Sequence, residues 1–203
     1  MRRFLEHLNQ YRIFLGSRSP RRQTLLTQLG LPYQVWLKEE VTEEYPAGLR
    51  PDQVALFLAS LKAKPYADEL RGSDILITAD TIVVLDDQIL GKPADREDAI
   101  GMLSDLSDRP HEVITGVCLS SMGKESVFIA STLVWFDKLD LSEIREYVDE
   151  FKPFDKAGAY GIQEWIGFIG INRIEGSYFN VMGLPIQRLY KELQRFTGYS
   201  LNQ

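Results

Sequence analysis

The chain of 203 residues contains one cysteine, Cys118. A single thiol excludes an internal disulfide and a cysteine-based zinc site. Cys118 sits in the apolar run "HEVITGVCLSS", where a buried structural thiol is expected in preference to a nucleophile. Long apolar runs are missing too: none reaches the roughly eighteen residues of a membrane span. The opening "MRRFLEHLNQY" lacks the apolar stretch and small-residue cleavage site of a signal peptide. Neither a membrane partner nor secretion is indicated, so the cytoplasm is the expected compartment. There is also no basic excess. Lys plus Arg number 23 against 29 Asp plus Glu, a net charge of -6, which argues against a broad nucleic-acid surface. Basic stripes studded with aromatics, as a single-strand binder would carry, are absent as well. No repeat, low-complexity tract or Gly/Pro/Ser-rich linker marks a boundary, so one domain over residues 1–203 is expected, with residues 1–10 as a short helical extension.

What is present is an interleaving of two periodicities. Val54, Leu58 and Leu61, after Pro51, share one face of a helix expected from Asp52. A second helix is expected near Asp95, with Ala99, Met102, Leu103 and Leu106 as its stripe. Ile144, Tyr147, Val148 and Phe151 repeat that spacing, as do Ile186, Leu189, Tyr190 and Leu193. Between these lie the β-rich runs "DILITADTIVVL", "QILGKP", "HEVITGVCLSS", "SVFIASTLVWF" and "WIGFIGI", with "SSMGKES" as a hairpin turn. The pattern predicts a mixed, partly antiparallel α/β sheet flanked by helices.

Polar groups concentrate at a few places. In "FLGSRSPRRQTLLTQLG" an apolar run ends in glycine, Ser19 is a good N-cap, Pro20 suits the first helical position and Gly30 suits the end. Arg21 and Arg22 then fall in the first turn, where the free N–H groups already make the helix end positive. A strand, a short loop and a helix N-terminus with two guanidiniums make a cradle for phosphate. Solvation, or pairing with acidic side chains, is the alternative, and from this stretch alone the two stand level.

Asp80 lies inside "LITADTIVVL", and a lone carboxylate in a central strand is costly unless a cation or donors meet it. A strand end with a metal or lysine nearby would satisfy it; a kink or bulge exposing it to water is the other reading. Lys62 lies beside the apolar stripe of its helix, where snorkelling is favoured on helix evidence alone. Lys92, between glycine and proline in "GKP", reads singly as a solvated turn lysine. "DKAGAYGIQE" is too glycine-rich for an ordinary helix. Close backbone approach to a flat ligand, or a tight bend within the sheet, would explain it. Gln163 offers the donor and acceptor that base-edge recognition requires. His111 is expected to stabilise a strand start, and His7 lies in the extension.

The motifs "SRSPRRQTLL", "ITADTIVVL" with "LGKP", "RPHEVITGV", "DKAGAYGIQ" and "GSYFNVMGLP", from about Ile13 to Leu193, follow the order and spacing of the Maf family, also called septum formation inhibitor proteins. The resemblance implies a fold similar to the inosine triphosphate pyrophosphatases, with a central cleft. It also implies a nucleoside triphosphate pyrophosphatase that releases the monophosphate and pyrophosphate with a divalent metal, Mg²⁺ or Mn²⁺. The "DKAGAYGIQ" segment resembles the dTTP/UTP branch, the branch acting on 7-methyl-GTP carrying a different one. By position, Asp80 matches the proton acceptor, while Arg21, Thr81 and Gln163 match specificity positions. Ser17, Arg22, Lys62 and Lys92 match the phosphate path, with Lys62 and Lys92 expected to join Asp80 in catalysis. Glu43 matches a metal-binding acidic residue that would act with Asp80, in a register shared with the adjacent Glu44. Arg18 stands where many members have a small or uncharged residue, and Glu164 where a glycine often follows the glutamine. A homodimer is the expected assembly. A non-catalytic nucleotide-binding regulator of cell division and a pyrophosphatase of the 7-methyl-GTP branch are the alternatives; the joint presence of Asp80, Lys62 and Lys92 favours an enzyme.

Overall fold

The computed structural model describes residues 3–39 and 41–200. The chain begins with α1 (Arg3–His7) and a one-turn 3-10 segment, then β1 (Arg12–Leu15), α2 (Pro20–Leu29), β2 (Gln34–Val35) and α3 (Pro51–Ala63). There follow β3 (Asp74–Leu85), β4 (Gln88–Leu90), α4 (Arg96–Leu106), β5 (Pro110–Ser121) and β6 (Lys124–Phe136). The last elements are α5 (Leu141–Phe151), α6 (Trp165–Gly170), β7 (Ile171–Glu175), α7 (Tyr178–Val181) and α8 (Ile186–Thr197). Met1 and Arg2 of the expected extension lie outside the described residues. The strands order as β2-β1-β3-β5-β6-β7, with β4 on β3. β1 runs parallel to β2 and β3, whereas β4 and β7 pair antiparallel with β3 and β6, so the sheet is mixed as the sequence predicts. Among the described residues no helix is long and apolar enough to cross a membrane.

Two compact units share these strands. The first comprises Met1–Asp80, Thr115–Ala130 and Gly183–Gln203. Its core joins Leu15, Leu25, Leu26, Val54, Ala55, Leu58, Leu76, Val117, Leu189 and Leu193, each under 5% exposed. Helix α3 lies against β5 so closely that a Cβ on Gly116 would stand 2.2 Å from the Ala55 carbonyl oxygen, which explains the glycine in an otherwise β-branched strand. Cys118 is buried as expected, and burial pushes its thiol pKa up to about 11. Where β1 and β3 begin, Arg12 forks onto the buried Asp74, at 2.7 and 2.9 Å.

The second unit comprises Thr81–Ile114 and Ser131–Met182. Val83, Leu85, Leu103, Leu106, Val113, Val134, Phe136, Ile144, Tyr147, Val148 and Ile166 form its core. The α4 and α5 stripes read from spacing are these packing faces. One reading fails here. "WIGFIGI" is not a strand: Trp165–Gly170 is helical, and only Ile171 opens β7. Ile166 and Gly170, four apart, are buried while Phe168 and Ile169 face out, a helical period that the aromatic and β-branched content masked. Gly167 permits the turn, since its Cβ would meet the Ile162 carbonyl oxygen at 2.1 Å. Nor does "DKAGAYGIQE" bend within the sheet. It forms a short 3-10 turn, Ala157–Ala159, in which Gly158 adopts φ 66° with its α-carbon against Val83.

His111 is the second residue of β5, stacked on Phe136, with Nε2 2.7 Å from the Tyr160 hydroxyl. Burial lowers its pKa from 6.5 to about 4. Between those values the unfolded chain binds the proton that the folded chain refuses, so stability present above the unfolded pKa is lost as pH falls towards 4. Urea denaturation across this window should show a loss of up to about 3 kcal/mol from this group, and a His111→Gln variant should lack that component.

Candidate functional site

Strand and helix periodicities together place the central pair of the first unit. On β3, Thr78 and Asp80 are two residues apart and share a face; on α3, Ala59 and Lys62 are three apart and share another. Thr78 Oγ1 donates to the Ala59 carbonyl at 2.8 Å, and the Lys62 ammonium donates to Asp80 Oδ1. Asp80 is thus buried within β3, not at its end and not turned out to water. Lys62 does not snorkel. Its Nζ also lies 2.9 Å from Glu43 Oε1, so one ammonium joins two carboxylates. It is Glu43 that makes this contact, from the irregular segment before α3, where both Glu43 and its neighbour Glu44 are exposed.

The arginines of α2 divide. Ser19 caps the helix as expected, its side chain accepting from the Arg22 N–H, and Gly30 closes it at φ 77°. Arg22 turns inward: Nε donates to the Gly183 carbonyl at 2.8 Å, and Nη1 to the Ala79 carbonyl at 2.8 Å and to Ser17 Oγ at 3.3 Å. This guanidinium ties the loop after β1, strand β3 and the segment before α8 together within the first unit. Burial lowers its pKa, with the charges of Asp80 and Glu43 opposing that shift and Arg21 adding to it. Arg21 is half-buried in the same helical turn, and Arg18 is exposed on the loop before it.

Thr81 follows Asp80 along β3 and opens the second unit, half-buried. Lys92 is exposed in the turn after β4, where the Gly91 carbonyl accepts from the Gly158 N–H at 3.0 Å. Gln163 stands two residues before α6, its Nε2 3.3 Å from Glu164 Oε1. Glu164 in turn accepts from the Tyr147 hydroxyl and lies 3.2 Å from the Nζ of Lys156, a lysine only 8% exposed. Sequence spacing therefore finds the residues but misses their partners. Tyr147 reads as a stripe residue, although a buried tyrosine hydroxyl needs a partner, and that need is a usable signal.

Among the described residues no group of three or more His, Cys, Asp and Glu side chains is placed to hold a metal. Glu43 and Asp80 remain a pair of hard oxygen donors already gathered about one positive charge. That set fits Mg²⁺ or Mn²⁺, which take one or two carboxylates and complete their shell with water and substrate phosphate.

With the fold and these side chains in place, the class of the chain follows from comparison. The family profile described as Maf-like protein matches residues 12–196, and the chain belongs to that family. It is 50% identical over 194 residues to the dTTP/UTP pyrophosphatase of Porphyromonas gingivalis, covering 95% of this chain and 98% of that protein. It is 51% identical over 191 residues to the dTTP/UTP pyrophosphatase of Bacteroides fragilis strain ATCC 25285, covering 94% and 99%. Among solved structures, the Staphylococcus aureus Ham1 protein overlaps 91% of this chain and 99% of its own at 14% identity and a TM-score of 0.47, a likeness too low to build on.

Removing the shared cation should expose what it supports. Lys62→Met leaves the buried Asp80 carboxylate without its ammonium, and should lower unfolding free energy by about 2 kcal/mol, below the range for a fully buried pair because Lys62 is partly exposed. Adding Asp80→Asn should recover part of that loss in a double-mutant cycle measured by urea denaturation.

Proposed function

We propose that the chain hydrolyses dTTP and UTP to the monophosphate and pyrophosphate. The observation that carries this reading is the Asp80–Lys62–Glu43 constellation, built where β3 and α3 meet in a chain half identical to two dTTP/UTP pyrophosphatases. Anion binding and metal holding fall to residues of the first unit: Arg21 and Ser17 at the start of α2, with Glu43, Lys62 and Asp80. Arg22 contributes positive charge from behind and holds this scaffold rigid through its carbonyl contacts. The resemblance assigns specificity, phosphate contact and base reading to Thr81, Lys92 and Gln163.

In the reaction a water oxygen bonds to phosphorus, the α–β phosphoanhydride bond breaks, and pyrophosphate leaves with the bonding electrons. Asp80 accepts the water's proton or fixes its lone pair towards phosphorus, a task suited to a carboxylate held by one ammonium in a buried strand. Lys62, already poised between carboxylates, and Lys92 offset charge gathering on the departing oxygens. When bound, a divalent cation held by Asp80 and Glu43 would supply further neutralisation of the phosphate oxygens. A cytoplasmic location and a homodimeric state complete this proposal.

A panel of dTTP, UTP, CTP, GTP and 7-methyl-GTP with Mg²⁺ or Mn²⁺, analysed by chromatography, tests the proposal. Monophosphate and pyrophosphate should form fastest from dTTP and UTP. Diphosphate with orthophosphate would contradict the assigned bond, and a preference for 7-methyl-GTP would contradict the assigned substrate.

A further inference from the structure

Glu164 sits at the centre of a polar cluster in the second unit. Its Oε1 lies 3.2 Å from Lys156 Nζ and accepts from Gln163 Nε2 at 3.3 Å, and its Oε2 accepts from the Tyr147 hydroxyl. That hydroxyl accepts in turn from the Gly161 N–H at 3.1 Å, and Lys156 is held on its other side by Asp155 at 2.8 Å. Gly161 leaves the room these ends occupy, since a Cβ there would stand 2.7 Å from both Gln163 Nε2 and the Glu164 carboxylate carbon. Three donors from three different side chains thus fix Glu164, so its two oxygens are engaged inside the protein.

A carboxylate only accepts. The amide of Gln163 must therefore turn its nitrogen to Glu164, because the opposite orientation would set carbonyl oxygen against carboxylate oxygen. What is left is the Gln163 carbonyl oxygen, which is buried and has no hydrogen-bond partner among the described residues, and the second N–H of the amide. A buried acceptor without a donor is unfavourable until one is supplied. The contact to Glu164 is long at 3.3 Å, which lets the side chain shift towards a ligand without giving up its orientation.

We propose that Glu164 is a positioning residue that locks the Gln163 amide against flipping, in the orientation that reads thymine or uracil and mismatches cytosine. The inference rests on the pyrimidine nucleotide reading above and adds its discriminating element. The fixed carbonyl oxygen accepts from N3–H of uracil while the second amide N–H donates to O4. Cytosine presents an acceptor at N3 and an amino donor at C4, so it needs the flipped amide that Glu164 forbids. A site built for one pattern leaves its own polar groups unpaired with the other.

The test is kcat and KM for UTP and CTP in the wild type, Glu164→Gln, Gln163→Met and the double variant, each checked by thermal melting. A glutamine at 164 offers either a carbonyl or an amide N–H, so the Gln163 amide becomes free to turn. The UTP-over-CTP ratio of kcat/KM should fall about tenfold in Glu164→Gln, mostly through a lower KM for CTP, with kcat for UTP nearly unchanged. In the Gln163→Met background the same change at 164 should leave the ratio where it is. If Glu164→Gln melts early, Tyr147→Phe, which loosens the carboxylate without removing it, should shift the ratio in the same direction by a smaller factor. An unchanged ratio in a well-folded Glu164→Gln protein, or a further fall in the Gln163→Met background, would overturn the positioning role while leaving the pyrophosphatase intact. A wild type that cleaves neither dTTP nor UTP would overturn both.

Discussion

One ammonium between two carboxylates is the contact on which the centre of the first unit depends. Asp80 occupies a central strand whose other positions are almost all buried and apolar, a place where a lone charge costs several kcal/mol. Lys62 answers it from α3, and Glu43 adds a second carboxylate on the more exposed side. The register that allows this is fixed twice over, by the Thr78 bond to Ala59 one strand repeat earlier and by the close approach of Gly116 to Ala55. A slip of one residue along β3 would send Asp80 to the opposite face.

The arginines behind the Ser-Pro pair have two different tasks. Positive charge at a helix N-terminus calls for a negative partner, and Arg22 has one in the field of Asp80 and Glu43, besides its bonds to the Gly183 and Ala79 carbonyls and to Ser17. Its neighbour Arg21 retains the role of meeting an anion in the proposed reaction. A guanidinium held by carbonyls beside the one assigned to the anion is a sound way to keep a phosphate cradle in shape, because preorganised donors need no rearrangement when charge develops.

Most of the secondary structure was legible because its periodicities are strong. "DILITADTIVVL" is β3 from end to end, and Asp95 caps α4. "WIGFIGI" was not legible, since two glycines hide a helical period within residues that otherwise favour strands. The chemistry-bearing residues could be picked out singly, but not their pairings. Lys62 on its helix looks like a side chain at the border of an apolar face, and only the packing of α3 on β3 turns it inward. Glu164 shows in the sequence only as a departure from a glycine, whereas its engagement by Lys156, Tyr147 and Gln163 depends on folding that brings α5 to the 156–164 segment.

The central claim is that the buried carboxylate of β3 performs chemistry and does not merely complete an ion pair. The direct measurement compares Asp80→Asn with the wild type for UTP turnover, UTP affinity and unfolding free energy in the same preparation. A catalytic Asp80 predicts turnover reduced by at least about a hundredfold, the scale of general acid–base assistance, with UTP affinity and the fold largely retained. Turnover close to that of the wild type, in a protein that folds and binds UTP normally, would contradict it.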